Sequence, residues 1–167
     1  PSRLLVRSIP GVPCRPEHRG GPLDVGDGTY GSVGLACSEL LCPHGILKQT
    51  ETTKWLADTD PADRPVAMQL YGRHAEALLP AGEWAVAHGA TVVDLNMGCP
   101  VDKVTKKNGG SKLLTEPCLA VDLVRSLRRA LAGTGVPVTA KIRLGWDERS
   151  LITRTLPPRL ADAGADA

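Results

Sequence analysis

"TVVDLNMGCPVDKVTKKNGGSKLL", residues 91–114, is the stretch whose reading decides the fold. Residues 91–97 read as a buried strand. Directly after it come a lone cysteine (Cys99), four lysines (103, 106, 107 and 112) and the pair Gly109–Gly110. A thiol, a carboxamide (Asn96) and a basic loop are thus gathered where a strand ends.

Working outward, "VGLACSEL" (33–40) reads as a strand and is followed by a polar helical segment near 45–57. "PVAMQLY" (65–71) reads as the next strand, and "HAEALLPAGEWAVAHG" (74–89) as a helix that Pro80 is expected to interrupt. Downstream, Leu119, Leu123, Val124, Leu127 and Leu131 recur at helical spacing, with Arg125, Arg128 and Arg129 on other faces. Gly133 and Gly135 close that helix, "VPVTAKIRL" (136–144) reads as a fourth strand, and a final helix is expected from about 149 to 164.

Strict alternation of strands and helices with short loops implies parallel strands joined by right-handed crossovers. An open doubly wound sheet or a (β/α)8 TIM barrel satisfies it. A barrel takes about 250 residues, so four strands are roughly its first half: the predicted fold class is α/β, a partial barrel. Residues 8–32, dense in Gly and Pro and showing neither period, are expected to be irregular.

Composition narrows the class. The 167 residues are 42% hydrophobic but contain no Phe, three Trp and two Tyr, so the core must be aliphatic, as suits a parallel sheet wrapped in helices. A net charge of +2 lacks the basic excess of a typical nucleic-acid binder, leaving only local clusters to make that case. The five cysteines (14, 37, 42, 99, 118) contain no C-x-x-C pair, which argues against a disulfide framework or a zinc site and for a reducing, cytoplasmic compartment. His18, His44, His74 and His88 lack metal spacing, and no metal is expected. No apolar run is long enough to span a membrane. The start at Pro1 and the closing "LADAGADA", which reads as a last helical turn, suggest a chain cut from a longer one.

In parallel α/β folds the working groups sit at the C-terminal ends of the strands. Those ends present Glu39, Gln69, Asn96 with Cys99, and Lys141 with Arg143, which are expected to converge on one rim. Cys99, between Gly98 and Pro100, is either a small buried hydrophobe or a reactive thiol among cations; a proton donor needs its thiol form. Cys14, Cys37, Cys42 and Cys118 take the buried reading. The lysine loop is either a solvated surface or a phosphate contact. Lys141 either snorkels outward or meets an electron-rich cofactor, and Gln69 is either a satisfied interior amide or a partner for a planar heterocycle.

Together "VDLNMGCPVDKVTKKNGGSKLL", "PVAMQLYG", "PVTAKIRLGWDE" and "ACSELLCPHGIL" resemble the bacterial tRNA-dihydrouridine synthase family, closest to its B-type branch, from about residue 33 to 167. The resemblance implies an FMN-binding barrel followed by a helical RNA-binding domain, with NADPH as electron source, tRNA as partner and a monomeric parent. It implies that reduced flavin delivers hydride to C6 of a flipped-out uracil while Cys99 protonates C5. It further places Gln69 and Lys141 at the flavin, Asn96 at the uracil edge, and Arg143, Lys103, Lys106 and Lys107 near RNA phosphates.

Residues 1–32 would then be a remnant of the first barrel unit plus an inserted or misread segment, and 33–167 a partial barrel without the helical domain. The family's "APM" strand would precede Pro1, and its "HGR" strand and phosphate loops would follow Ala167. Weak or no FMN retention by the isolated chain is the resulting expectation. An inactive RNA-binding remnant, or another FMN barrel acting on a free pyrimidine as a dihydroorotate dehydrogenase does, are the alternative readings.

Overall fold

In the computed structural model of the chain, residues 9–13, 23–24, 30–32, 35–59 and 64–167 are described. Strands β1 (Ile9–Pro13), β2 (Leu23–Asp24) and β3 (Tyr30–Ser32) form an antiparallel sheet in the order β1-β3-β2. For these described residues this differs from the irregular segment expected at 8–32; the rest of that segment lies outside the described residues. Backbone pairing is what the Gly/Pro-rich composition hid, because the pairing requires neither hydrophobic period.

The second sheet holds β4 (Ala36–Cys37), β5 (Val66–Leu70), β6 (Val92–Met97) and β7 (Val138–Ile142), in the order β4-β5-β6-β7, with every pair parallel. Strand order that follows chain order is that of a βα barrel; a doubly wound sheet reverses at a switch point. The arrangement is therefore four consecutive units of a barrel. Asp166 N–H donates to Val138 O at 2.8 Å and Ala140 N–H to Ala167 O at 3.0 Å, so the last residues run beside β7 instead of closing a helix.

One face of this sheet builds the core. Met68, Leu70, Val93, Leu95, Met97 and Val138 pack with Leu78, Ala81 and Ala85 of α3 (Ala75–Ala87) and with Leu123, Val124 and Leu127 of α5 (Pro117–Ala130). Helix α5 follows the expected leucine spacing. Gly82 lets it approach α3: a Cβ there would lie 2.6 Å from Leu127 Cδ1.

Several expectations need correcting. Among the described residues the strand expected at 33–40 is reduced to Ala36–Cys37, with only an isolated bridge from Leu41 to Leu70 beyond it. The polar segment splits into α1 (Pro43–Leu47) and α2 (Glu51–Ala57), because Gln49 takes φ 52° between them and Thr50 caps the second. Pro80 does not interrupt α3: it and Glu76, whose carbonyl loses its donor, both lie on the solvent face, where water replaces the bond. The last helix, α6 (Leu156–Asp162), is shorter than expected, since Pro157 and Pro158 suit only a first turn.

Between β6 and α5 the chain forms α4 (Asp102–Thr105) and a 3₁₀ helix (Gly110–Thr115). Val104, Leu113 and Leu114 are buried and anchor this segment to the domain. Lys103 of α4 and Lys106 and Lys107 just after it are consequently carried on a segment fixed to the core.

Candidate active site

On the face of β5, β6 and β7 turned away from the helical core, Ala67 and Val92 lie deepest and the residues nearer the strand ends are polar. Register sets Gln69 opposite Asp94 and Asp94 opposite Thr139, and one step nearer the strand ends it sets Asn96 opposite Lys141. In a barrel this face is the interior.

The polar groups close into one hydrogen-bond chain. Thr139 Oγ1 donates to Asp94 Oδ1 at 2.5 Å, and Gln69 Nε2 donates to Asp94 Oδ2 at 2.6 Å. Asn96 Nδ2 donates to Gln69 Oε1 at 2.8 Å. Asn96 Oδ1 then accepts the backbone N–H groups of Gly98, at 3.2 Å, and Cys99, at 2.9 Å. Asp94 and Asn96 are 8% and 7% exposed, so these bonds satisfy groups that water reaches poorly.

Cys99 sits half-buried just past β6, at the C-terminal rim. Its carbonyl accepts from Ser111 N–H at 3.0 Å. Gly110 makes that closure possible: it adopts φ 59°, and a Cβ on it would lie 2.5 Å from the Cys99 carbonyl oxygen and 2.8 Å from Val104 Cγ1. The turn around Cys99 is thus held from both sides, by Asn96 and by the 3₁₀ helix.

The other sequence candidates are placed as follows. Gln69 and Asn96 lie together in the chain described above. Lys141 and Arg143 are exposed at the end of β7, Glu39 is exposed after β4, and Lys103, Lys106 and Lys107 are exposed on or just after α4. Lys106 pairs with Asp102 at 2.8 Å, and Lys112 lies 5.0 Å from the centre of the Trp146 ring. Among the described residues no group of three metal-binding side chains occurs, and no helix is long and apolar enough to cross a membrane.

Asp94 and Thr139 were not among the sequence candidates. Their signal was period-two spacing, with Asp94 two residues before Asn96 and Thr139 two before Lys141, which sets each pair on one face. The buried reading of the other cysteines also needs correction. Cys37 and Cys118 are exposed, and Cys42 is half-buried; Cys14 lies outside the described residues.

Cys42 lines a cavity of about 330 Å³ with His44, Tyr71, Arg73, His74 and Lys107. Burial pushes its thiol up, but the Tyr71 hydroxyl, the backbone amides of Gly45 and His44 and the Lys107 charge outweigh burial and hold it below its ordinary value. The two amides lie near the sulfur without forming well-directed hydrogen bonds to it. For Tyr71, burial together with the Cys42 contact and the charges of Cys42 and Cys99 pushes the phenol up to about 12.

Comparison with known proteins shows the family. The family model described as dihydrouridine synthase matches residues 28–167. A probable tRNA-dihydrouridine synthase 1 of Synechocystis is 43% identical over 114 residues, covering 68% of this chain and 31% of that protein. The tRNA-dihydrouridine synthase B of Pseudomonas aeruginosa is 32% identical over 167 residues, all of this chain and 47% of that one. That alignment extends over residues 1–32, ahead of the stretch from about residue 33 on which the resemblance rested. The chain thus spans less than half the length of these curated relatives. Since a single family model accounts for the whole four-strand sheet and for the turn that carries Cys99, the chain belongs to the dihydrouridine synthase family.

Proposed function

We propose that this chain is the proton-donating part of an enzyme that reduces specific uridines in tRNA to 5,6-dihydrouridine. The observation that carries the reading is the placement of Cys99: a half-buried thiol at the C-terminal rim of parallel strands, on a turn held by Asn96 Oδ1.

The residues present fit a planar heterocycle such as the FMN ring. Gln69 keeps one N–H beyond its bond to Asp94, and Lys141 stands exposed on the same face, one row nearer the rim. When bound, reduced FMN supplies the hydride for C6 of the uracil, with NADPH as the electron source.

The chain's own residues do the rest. Cys99 delivers the thiol proton to C5, and its thiolate regains a proton from water, so one hydride and one proton add across the former double bond. Asn96 positions the turn and retains one amide N–H for the uracil edge. Lys103, Lys106, Lys107 and Arg143, all exposed near that rim, meet RNA phosphates, which position the substrate without reading its sequence. The target base must leave its stack to reach the thiol. Exposed lysines beside Cys99 favour a polyanionic substrate over a free pyrimidine.

The test is dihydrouridine formation in tRNA incubated with the chain, excess FMN and NADPH, beside Cys99→Ala. Loss of product in the variant with RNA binding retained is expected; equal product from both would overturn the acid role. RNA binding with no product from either chain would instead identify an inactive RNA-binding remnant.

A further inference from the structure

The hydrogen-bond chain on the inner face has a direction. Asp94 accepts at both carboxyl oxygens, from the Thr139 hydroxyl and from the Gln69 amide. Gln69 must therefore turn its NH2 group toward Asp94, which leaves Oε1 facing Asn96. Asn96 must give an N–H to that oxygen, which leaves its own Oδ1 facing the amides of Gly98 and Cys99. Reversing either amide alone sets donor against donor or acceptor against acceptor in a nearly dry site, where each unmet group is costly.

We propose that Asp94 is a positioning residue whose carboxylate sets the orientation of the Gln69 and Asn96 side-chain amides and thereby fixes the backbone of Cys99. Thr139, 45 residues away in sequence, anchors the far end of the relay. The proposal deepens the proposed function, on which it rests only for the meaning of a fixed Cys99. The relay itself is a property of the fold.

A charge swap tests the direction. Asn96→Asp sets a carboxylate on each side of Gln69, and a single amide cannot offer NH2 to both. With Asp94→Asn added, both contacts of Gln69 close in the opposite sense while the outer contacts keep theirs. The new amide at 94 donates to Gln69 Oε1, Gln69 donates to the new carboxylate at 96, and that carboxylate still accepts from Gly98 and Cys99. If Asp94 served only as a packed polar group, the second substitution would add to the damage; a relay predicts rescue.

The measurements are urea unfolding and NMR on the 167-residue chain. Asn96→Asp is expected to raise the unfolding equilibrium constant by about tenfold, with most of that loss recovered in the double variant. Contacts from the Gln69 NH2 protons should run to the side chain at 94 in the unmodified chain and to the side chain at 96 in the double variant. Asp94→Ala should lower hydrogen-exchange protection of the Gly98 and Cys99 amides by about tenfold.

A double variant no more stable than Asn96→Asp would overturn the proposal, as would Gln69 contacts that do not move or protection unchanged in Asp94→Ala. The contacts in the unmodified chain remain decisive even where a variant fails to fold. Absence of uridine reduction with these NMR results intact would count against the proposed function and leave the relay standing.

Discussion

The backbone N–H of Cys99 donates to Oδ1 of Asn96 at 2.9 Å, three residues back along the chain. The same oxygen accepts from Gly98, so one carboxamide satisfies two donors as the chain leaves β6. Asparagine suits this task because its side chain mimics a backbone carbonyl at a turn.

Asn96→Ala should therefore destabilise the chain by about 1–3 kcal/mol, since it orphans two amides and removes the donor to Gln69 Oε1. Urea unfolding measures the loss. A change within about 0.5 kcal/mol, the ordinary range for a surface position, would contradict it.

Gly110→Ala should cost at least as much. The residue adopts φ 59°, and the added methyl group would strike the Cys99 carbonyl oxygen and Val104. Besides a lower unfolding midpoint, faster alkylation of Cys99 should report the loosened turn.

Cys42 is expected to be alkylated at neutral pH faster than an unperturbed thiol of similar exposure, because its thiolate is stabilised. Tyr71→Phe removes a hydroxyl that favours the thiolate and should slow the reaction. The sign for stability follows from a folded value below the unfolded one: the Cys42 contribution is complete above the unfolded value and is lost as pH falls through the folded one. Iodoacetamide rates followed across pH by peptide mapping test both statements.

Tyr71 shifts the other way. Its phenol is raised from about 10 to about 12, so the unfolded chain ionises first and stability should fall as pH rises through that interval. Tyr71→Phe should flatten the fall. Alkaline absorbance titration of the native chain should show a late-ionising tyrosine that the variant lacks.

Isolated and purified, the 167-residue chain should retain little FMN. Barrels usually grip phosphate with loops after their seventh and eighth strands, and the sheet described here has four. Stoichiometric flavin absorbance after gel filtration would refute this.

Much of the architecture was legible because it is written locally. The leucine spacing of α5 and the apolar runs of β5 and β6 each mark an element within a dozen residues. Errors fell where local rules compete with their surroundings. Pro80 stays helical because its lost bond faces water, and β4 shrinks because only part of its run finds a partner in β5.

The candidate site was legible residue by residue but not as a network. Gln69, Asn96 and Cys99 were visible at strand ends, whereas Asp94 was read as part of a buried strand and Thr139 passed unnoticed. Nothing within a few residues of either shows that they share a carboxylate contact.

What the sequence determined alone was the order of the parallel strands and of the helices between them, and the place of Cys99 just past β6, since hydrophobic period and residue chemistry are local properties of the chain. Tertiary structure decided that Thr139, Asp94, Gln69 and Asn96 form one directed relay to Cys99. Strand register is a long-range choice, and a shift of one residue would have turned each of these side chains to the opposite face.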